Sequence, residues 1–221
     1  MGLDMYITKT KKINGMTLTE IIETANYIDY LERPAKYSNS TFHSWCGGNI
    51  NDVRKDKLDE VKKNIKTRYG VWDTEHEYGY DDISEQVAYW RKANAIHNWF
   101  IINCADGVDE CQIIEINKNQ LETLLDTTKK VKDSCELIDG EVINGYTFKN
   151  GKEVPNIAKG KVIKDTFVAK ELLPTTSGFF FGSTEYNEWY VEDLDNTIKQ
   201  ITNILETTDF DNEYIIYHAS W

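Results

Sequence analysis

The chain has 221 residues, 40% of them hydrophobic and 12% aromatic, enough to bury one sizeable core and better suited to one large domain than to two small ones. Its formal net charge of -12, from 37 acidic and 25 basic residues, argues against an extended nucleic acid as partner, because a phosphate backbone meets repulsion unless positive charge is gathered on one face. A small anionic ligand stays open, since a cavity needs only two or three local donors.

Leu3 to Thr10 alternates loosely and carries β-formers, which predicts an opening strand. Thr17 or Thr19 caps an amphipathic run from Glu20 to Leu31, and Pro34 stops it. Ala35 to Ile50 shifts to Ser, Asn, Gly and aromatics and reads as a loop or irregular arm. The spacing of Leu58, Val61, Ile65 and Tyr69 predicts a helix over Asp52 to Tyr69, with Gly70 as its stop.

Ser84 to Ile102 carries the strongest helical signal. Gln112 to Ile116 is a short strand, and Asn117 caps a helix that buries Leu121, Leu124, Leu125 and Val131. Asp139 to Lys161 holds Asp139-Gly140, Asn144-Gly145 and Asn150-Gly151 around two β-forming triplets, the pattern of hairpin turns in an exposed β excursion. Glu188 to Thr207 forms a last helix over Val191, Leu194, Ile198, Ile201 and Leu205, and Glu213 to His218 is a closing strand. Strands at both ends with helices between them give an α+β class: one domain over residues 1–221, with a mixed or antiparallel sheet and several packed amphipathic helices. A variable arm or insertion is expected at about residues 11–80.

The cysteines Cys46, Cys104, Cys111 and Cys135 form no CxxC pair and are expected to be reduced thiols. His43 with Cys46, and Cys104 with Cys111, lack the spacings zinc sites favour, so no metal and no cofactor is expected. No stretch approaches the roughly 18 to 20 apolar residues of a membrane span, and no leader pattern is present. A cytoplasmic protein without a membrane partner follows as the expectation, and a homo-oligomer is compatible with it.

Plotted as a helix, Gln86 to Phe100 puts Tyr89, Ala93, Ile96 and Phe100 on a core arc. The opposite arc holds Gln86, Trp90, Arg91, Asn94, His97 and Asn98. Such a face suits a flat anionic ligand, with a ring stacked on Trp90 and donors from Arg91 and His97. The competing reading of the same residues is that Trp90 packs beneath a neighbouring element and the polar groups are satisfied locally.

A second constellation runs from Leu172 to Tyr190, where Ser183, Thr184, Tyr186 and Trp189 lead into the last helix. Free N–H groups at a helix N-terminus can hold phosphate or carboxylate, although N-capping by Ser183, Thr184 or Asn187 explains the hydroxyls equally well. Catalytic templates fail: there is no Walker sequence, G-x-S-x-G, H-E-x-x-H or G-x-G-x-x-G. Glu185 and Glu188 could act as acid and base, or simply as partners of the helix dipole. No catalytic residue is assigned.

The segments MGLDMY (Met1 to Tyr6), YWRKANAIHNWF (Tyr89 to Phe100), LLPTTSGFFFGSTEYNEWY (Leu172 to Tyr190) and DFDNEYIIYHASW (Asp209 to Trp221) resemble a family of uncharacterised proteins of tailed phages and prophages. That resemblance implies a setting and not a mechanism. A small phage protein without a catalytic template is expected to antagonise a host defence, and sequestering a nucleotide-like signal without cleaving it is the reading that Trp90, Arg91, Asn94, His97, Ser183, Thr184, Tyr186 and Trp189 suit best. Two alternatives remain: an acidic inhibitor of a host defence or nucleic-acid enzyme, its acids scattered rather than clustered, and a nucleotide-processing enzyme with His97 as acid or base.

Overall fold

The computed structural model describes residues 2–32, 41–42, 48–71, 77–149, 151–178 and 180–221. In chain order the elements are β1 (Asp4–Lys11), α1 (Leu18–Glu32), two 3-10 turns (Ile50–Asp52 and Lys55–Lys57), α2 (Leu58–Lys62), β2 (Lys66–Val71), β3 (Glu77–Asp82) and β4 (Glu85–Arg91). There follow α3 (Asn94–Cys104), β5 (Ile114–Ile116), α4 (Lys118–Ser134), β6 (Leu137–Lys149), β7 (Lys152–Ile163), α5 (Phe167–Leu172), α6 (Glu188–Thr207) and β8 (Glu213–Ser220). The class is α+β, with a four-stranded sheet in the order β4-β1-β8-β5 and two separate antiparallel pairs, β2-β3 and β6-β7.

The chain divides into two compact units: Met1–Ile7 with Val87–Thr208 and Ile215–Trp221, and Thr8–Gln86 with Asp209–Tyr214. In the first, Ile215, Ile216 and Tyr217 of β8 are buried in succession, the mark of a strand covered on both faces. Helix α4 opens on a capping box, Asn117 Oδ1 accepting from Gln120 N at 2.9 Å and Gln120 Oε1 from Asn117 N at 2.9 Å, which satisfies two orphan donors reciprocally. Its buried stripe of Leu121, Leu124, Leu125, Thr128 and Val131 packs on α6, whose buried face is Tyr190, Val191, Leu194, Thr197, Ile201 and Ile204. The expected Ile198 and Leu205 of α6 lie at the margin of that stripe, half-buried.

In the second unit, Thr17 and Glu20 form another capping box at the start of α1. Ile13, Met16, Ile21, Ala25, Ile28 and Val61 make the core, with Leu58, Ile65, Ile83 and Tyr214 packed against it. The segment set apart by composition, residues 11–80, falls within this unit. Pro34 and most of the stretch from Ala35 to Ile50, with His43 and Cys46, lie outside the described residues.

Three sequence expectations are corrected. Residues 84–102 are not one helix: Glu85–Arg91 is a strand and α3 begins at Asn94. The helix expected over Asp52 to Tyr69 is reduced to two 3-10 turns and the five residues of α2, after which Lys66–Val71 is a strand. The β excursion is one long hairpin whose last pair is Lys149 with Lys152; Asn150 lies outside the described residues, Asp139-Gly140 lies within β6 and Asn144-Gly145 is a bulge between paired Ile143 and Tyr146. Gly145 takes φ +83° there, a conformation that suits glycine.

Among the described residues Cys104, Cys111 and Cys135 are free thiols, and burial pushes the Cys104 thiol up to about 12. No group of three His, Cys, Asp or Glu side chains able to hold a metal ion occurs among them. None of their helices is long and apolar enough to cross a membrane.

Candidate functional site

The first unit holds a cavity of about 810 Å³ walled by the turn after β4, the loop 174–187, the first turns of α6 and the β6 bulge. The turn after β4 places Arg91 and Lys92 side by side. Lys92 has φ +62°, its N–H donates to Leu3 O at 2.7 Å and its carbonyl accepts from Asn94 N at 2.8 Å. The loop presses on this turn through Gly182, at φ +93°: a Cβ there would stand 3.0 Å from Lys92 Cβ and 3.3 Å from Lys92 O. Only glycine meets both conditions without strain.

Asn94, buried at the start of α3, holds the loop. Its Nδ2 donates to Ser183 O at 2.8 Å and Phe181 O at 3.2 Å, and its Oδ1 accepts from Thr176 N at 3.0 Å. Further along, Thr175 N donates to Tyr186 Oη at 3.1 Å, Thr175 Oγ1 to Thr184 O at 3.0 Å, and Glu185 N to Ser183 Oγ at 3.1 Å. Six backbone groups of the loop are therefore held by side-chain partners.

Of the three candidate caps of α6, Asn187 is the one used: its Oδ1 accepts from Trp189 N at 3.0 Å and Tyr190 N at 3.4 Å. Asn187 is 2% exposed and lines the cavity, and its Nδ2 has no hydrogen-bond partner. The two carboxylates considered as acid and base are spent on the hairpin, Glu185 Oε2 accepting from Ile143 N at 3.1 Å and Glu188 Oε1 from Lys161 N at 3.4 Å.

Two cations and three exposed rings line this volume. Arg91 and Lys92 are exposed and make no ion pair among the described residues. Tyr146 on the bulge is 59% exposed, Trp189 in the first turn of α6 is 40% exposed, and Phe180 lies on the loop. Glu185, Glu192 and Asp193 supply negative charge. Burial, and secondarily the charge of Glu192, raises the Asp193 carboxyl to about 7.

Of the residues expected at a site, Arg91, Asn94, Ser183, Thr184 and Trp189 line the cavity. Tyr186 does not; its ring packs edge-on against Tyr190 at 5.0 Å, and its hydroxyl serves Thr175. Trp90 is corrected from stacking platform to core residue: it is 1% exposed and its Nε1 donates to Thr197 Oγ1 at 2.9 Å. Strand alternation causes this, turning Ala88 and Trp90 inward and Tyr89 and Arg91 outward.

His97 is also buried, beside a second cavity of about 410 Å³ that Asp109 and Trp221 share. Its Nε2 bonds Asp109 Oδ2 at 3.0 Å and its Nδ1 bonds Tyr217 Oη at 2.7 Å, so both ring nitrogens are committed. The expected single face of Trp90, Arg91, Asn94 and His97 thus divides into a core indole, a cavity cation, a loop clamp and a buried relay. Lys92, Tyr146, Phe180 and Asp193 are cavity residues that sequence reasoning missed.

No family model matches the chain, and no curated protein and no solved structure matches it.

Proposed function

We propose that the first unit binds and sequesters a small anionic, nucleotide-like ligand without turning it over, in the setting of a phage-type counter-defence protein acting in the host cytoplasm. The observation that carries the reading is that Arg91 and Lys92, free of ion pairs among the described residues, line the same cavity of about 810 Å³ as the exposed rings of Tyr146 and Trp189. Unpaired cations suit a phosphate, and exposed rings suit a base, which stacks on aromatic side chains at about 1 to 3 kcal/mol each. The volume lies within the range of small-molecule sites. Sequestration is favoured over turnover because Glu185 and Glu188 accept hairpin amides and His97 has both nitrogens engaged. The phage setting rests on the four sequence segments quoted above.

The test is calorimetric titration of the full chain with a panel of mononucleotides and cyclic nucleotides, followed by heat removal of the protein and chromatography of the released ligand. The expected result is binding of at least one nucleotide, its recovery intact, and a loss of about tenfold or more in Arg91→Ala and in Trp189→Ala, each melting within a few degrees of the parent. A panel that gives neither heat nor a thermal shift, or a ligand recovered as product, overturns the reading.

A further inference from the structure

Trp189 and Asp193 stand four residues apart on α6, so their side chains share one helix face, and both line the cavity. The Trp189 ring is partly exposed there and offers a stacking surface. Asp193 differs from its neighbours. Glu185 has an amide from Ile143, whereas the Asp193 carboxyl takes no hydrogen bond and no ion pair among the described residues; Thr197 Oγ1 donates at 2.7 Å to its backbone carbonyl instead. Arg91 and Lys92 line the same cavity without pairing to it. The Asp193 oxygens are not among the buried unpartnered atoms, so this half-buried carboxyl keeps accessible acceptor capacity that a ligand can use. Asn187, the cap of α6, lines the same cavity with its Nδ2 buried and without a partner.

One helix therefore presents a stacking ring and a carboxyl acceptor to a single volume. A carboxylate accepts only, so it favours a heterocycle edge with adjacent N–H groups and disfavours one with a ring nitrogen lone pair. Guanine supplies two adjacent donors, N1–H and the 2-amino group. Adenine sets its one amino group next to an acceptor nitrogen. Hypoxanthine keeps the N1–H and the carbonyl but lacks the 2-amino group.

We propose that Asp193 is the base-reading residue of this cavity, accepting hydrogen bonds from the N1–H and 2-amino groups of a guanine-type ring stacked on Trp189, so that the sequestered ligand is a guanine nucleotide. This rests on the nucleotide-binding reading above. Burial raises the Asp193 carboxyl to about 7, so it is acceptor-only above that pH, where the titrations are made.

The experiment is calorimetric titration of the full chain and of Asp193→Asn with GMP, IMP and AMP. For the parent, GMP is expected to bind about tenfold tighter than AMP, with IMP between them, the scale of discrimination by a good bidentate contact. In Asp193→Asn the GMP preference is expected to fall below about threefold, GMP binding weakening while AMP binding holds or tightens because the amide can donate to the adenine ring nitrogen. Because the order of the three ligands is measured on the parent, the proposal is tested even if the variant folds poorly. Equal affinities, or tighter AMP binding, overturn the base-reading assignment and leave nucleotide binding standing. A guanine preference that survives in Asp193→Asn overturns the role of Asp193. Failure of all three ligands to bind overturns the nucleotide reading itself and, with it, this inference.

Discussion

The indole Nε1–H of Trp90 donates to Thr197 Oγ1 across 2.9 Å, tying β4 to α6 where both side chains are buried. Thr197 passes the hydrogen bond on, its hydroxyl donating to Asp193 O at 2.7 Å. Trp90 also packs edge-on against Phe100. Trp90→Ala should therefore lower stability by about 3 to 5 kcal/mol, the cost of emptying a large core site. Thr197→Val, nearly isosteric, should cost about 1 to 3 kcal/mol by stranding the indole N–H. Urea denaturation of both variants checks this, and a loss under about 1 kcal/mol for Trp90→Ala would place the indole outside the core.

Why this residue was misassigned from sequence is a matter of period. In EQVAYWR a two-residue alternation buries Ala88 and Trp90, but Gln86 to Trp90 is also a step of four, where strand and helix periods coincide. A true helix begins three residues after β4, so the apolar positions run on without a visible break. The break is Lys92 at φ +62°, and lysine gives no warning of a left-handed turn as glycine would.

Elements with chemical punctuation were legible. Asn117 and Gln120 announce the start of α4, and Thr17 and Glu20 that of α1. Of the site, the half on contiguous sequence was legible: Ser183, Thr184 and Trp189 belong to one loop and one helix start. Tyr146 and Asp193 were not, because only tertiary folding brings the β6 bulge to the cavity shared by the α6 face.

Asn94 makes a sharper prediction about the loop than about any ligand. Its side chain bonds Phe181 O, Ser183 O and Thr176 N, so Asn94→Ala releases three backbone groups at once. Hydrogen–deuterium exchange should rise across residues 174–184, Thr176 N–H most of all, and global stability should fall by about 2 to 4 kcal/mol. Unchanged exchange in that loop would mean that the Gly182 contact with Lys92 holds it without Asn94.

The Asp109–His97–Tyr217 relay should behave as a structural device. Asp109 accepts from Trp221 Nε1 at 3.2 Å as well as bonding His97 Nε2. A carboxylate only accepts, so the imidazole proton sits on Nε2 and Tyr217 Oη donates to Nδ1. Burial raises the Tyr217 phenol well above its ordinary range, which keeps it a donor. Asp109→Ala should cost about 1 to 3 kcal/mol by leaving the buried His97 N–H without its acceptor, and should change tryptophan fluorescence by freeing Trp221. If nucleotide binding is lost while stability is retained, the relay is functional and the smaller cavity becomes the site.

Asp193 gives the cavity a pH signature in the absence of any ligand. Its carboxyl titrates near its ordinary value of 3.8 when unfolded and at about 7 when folded, with burial as the first cause and the Glu192 charge as the second. Between those values the folded chain holds a proton that the unfolded chain has released, so the slope of stability against pH is negative there. Stability should fall as pH rises from about 4 to about 7 and then level off. Asp193→Asn cannot ionise and lacks this contribution. The difference in unfolding free energy, parent minus variant, should therefore drop by about 1 to 3 kcal/mol between pH 4.5 and 7.5; the full shift would give more, but the side chain is only partly shielded from water. Paired urea melts at the two pH values measure it, and the other carboxylates cancel in the difference. A difference that grows with pH would mean that the ionised carboxylate is held by a donor within the folded chain, and Asp193 would then be already satisfied and unavailable to a ligand.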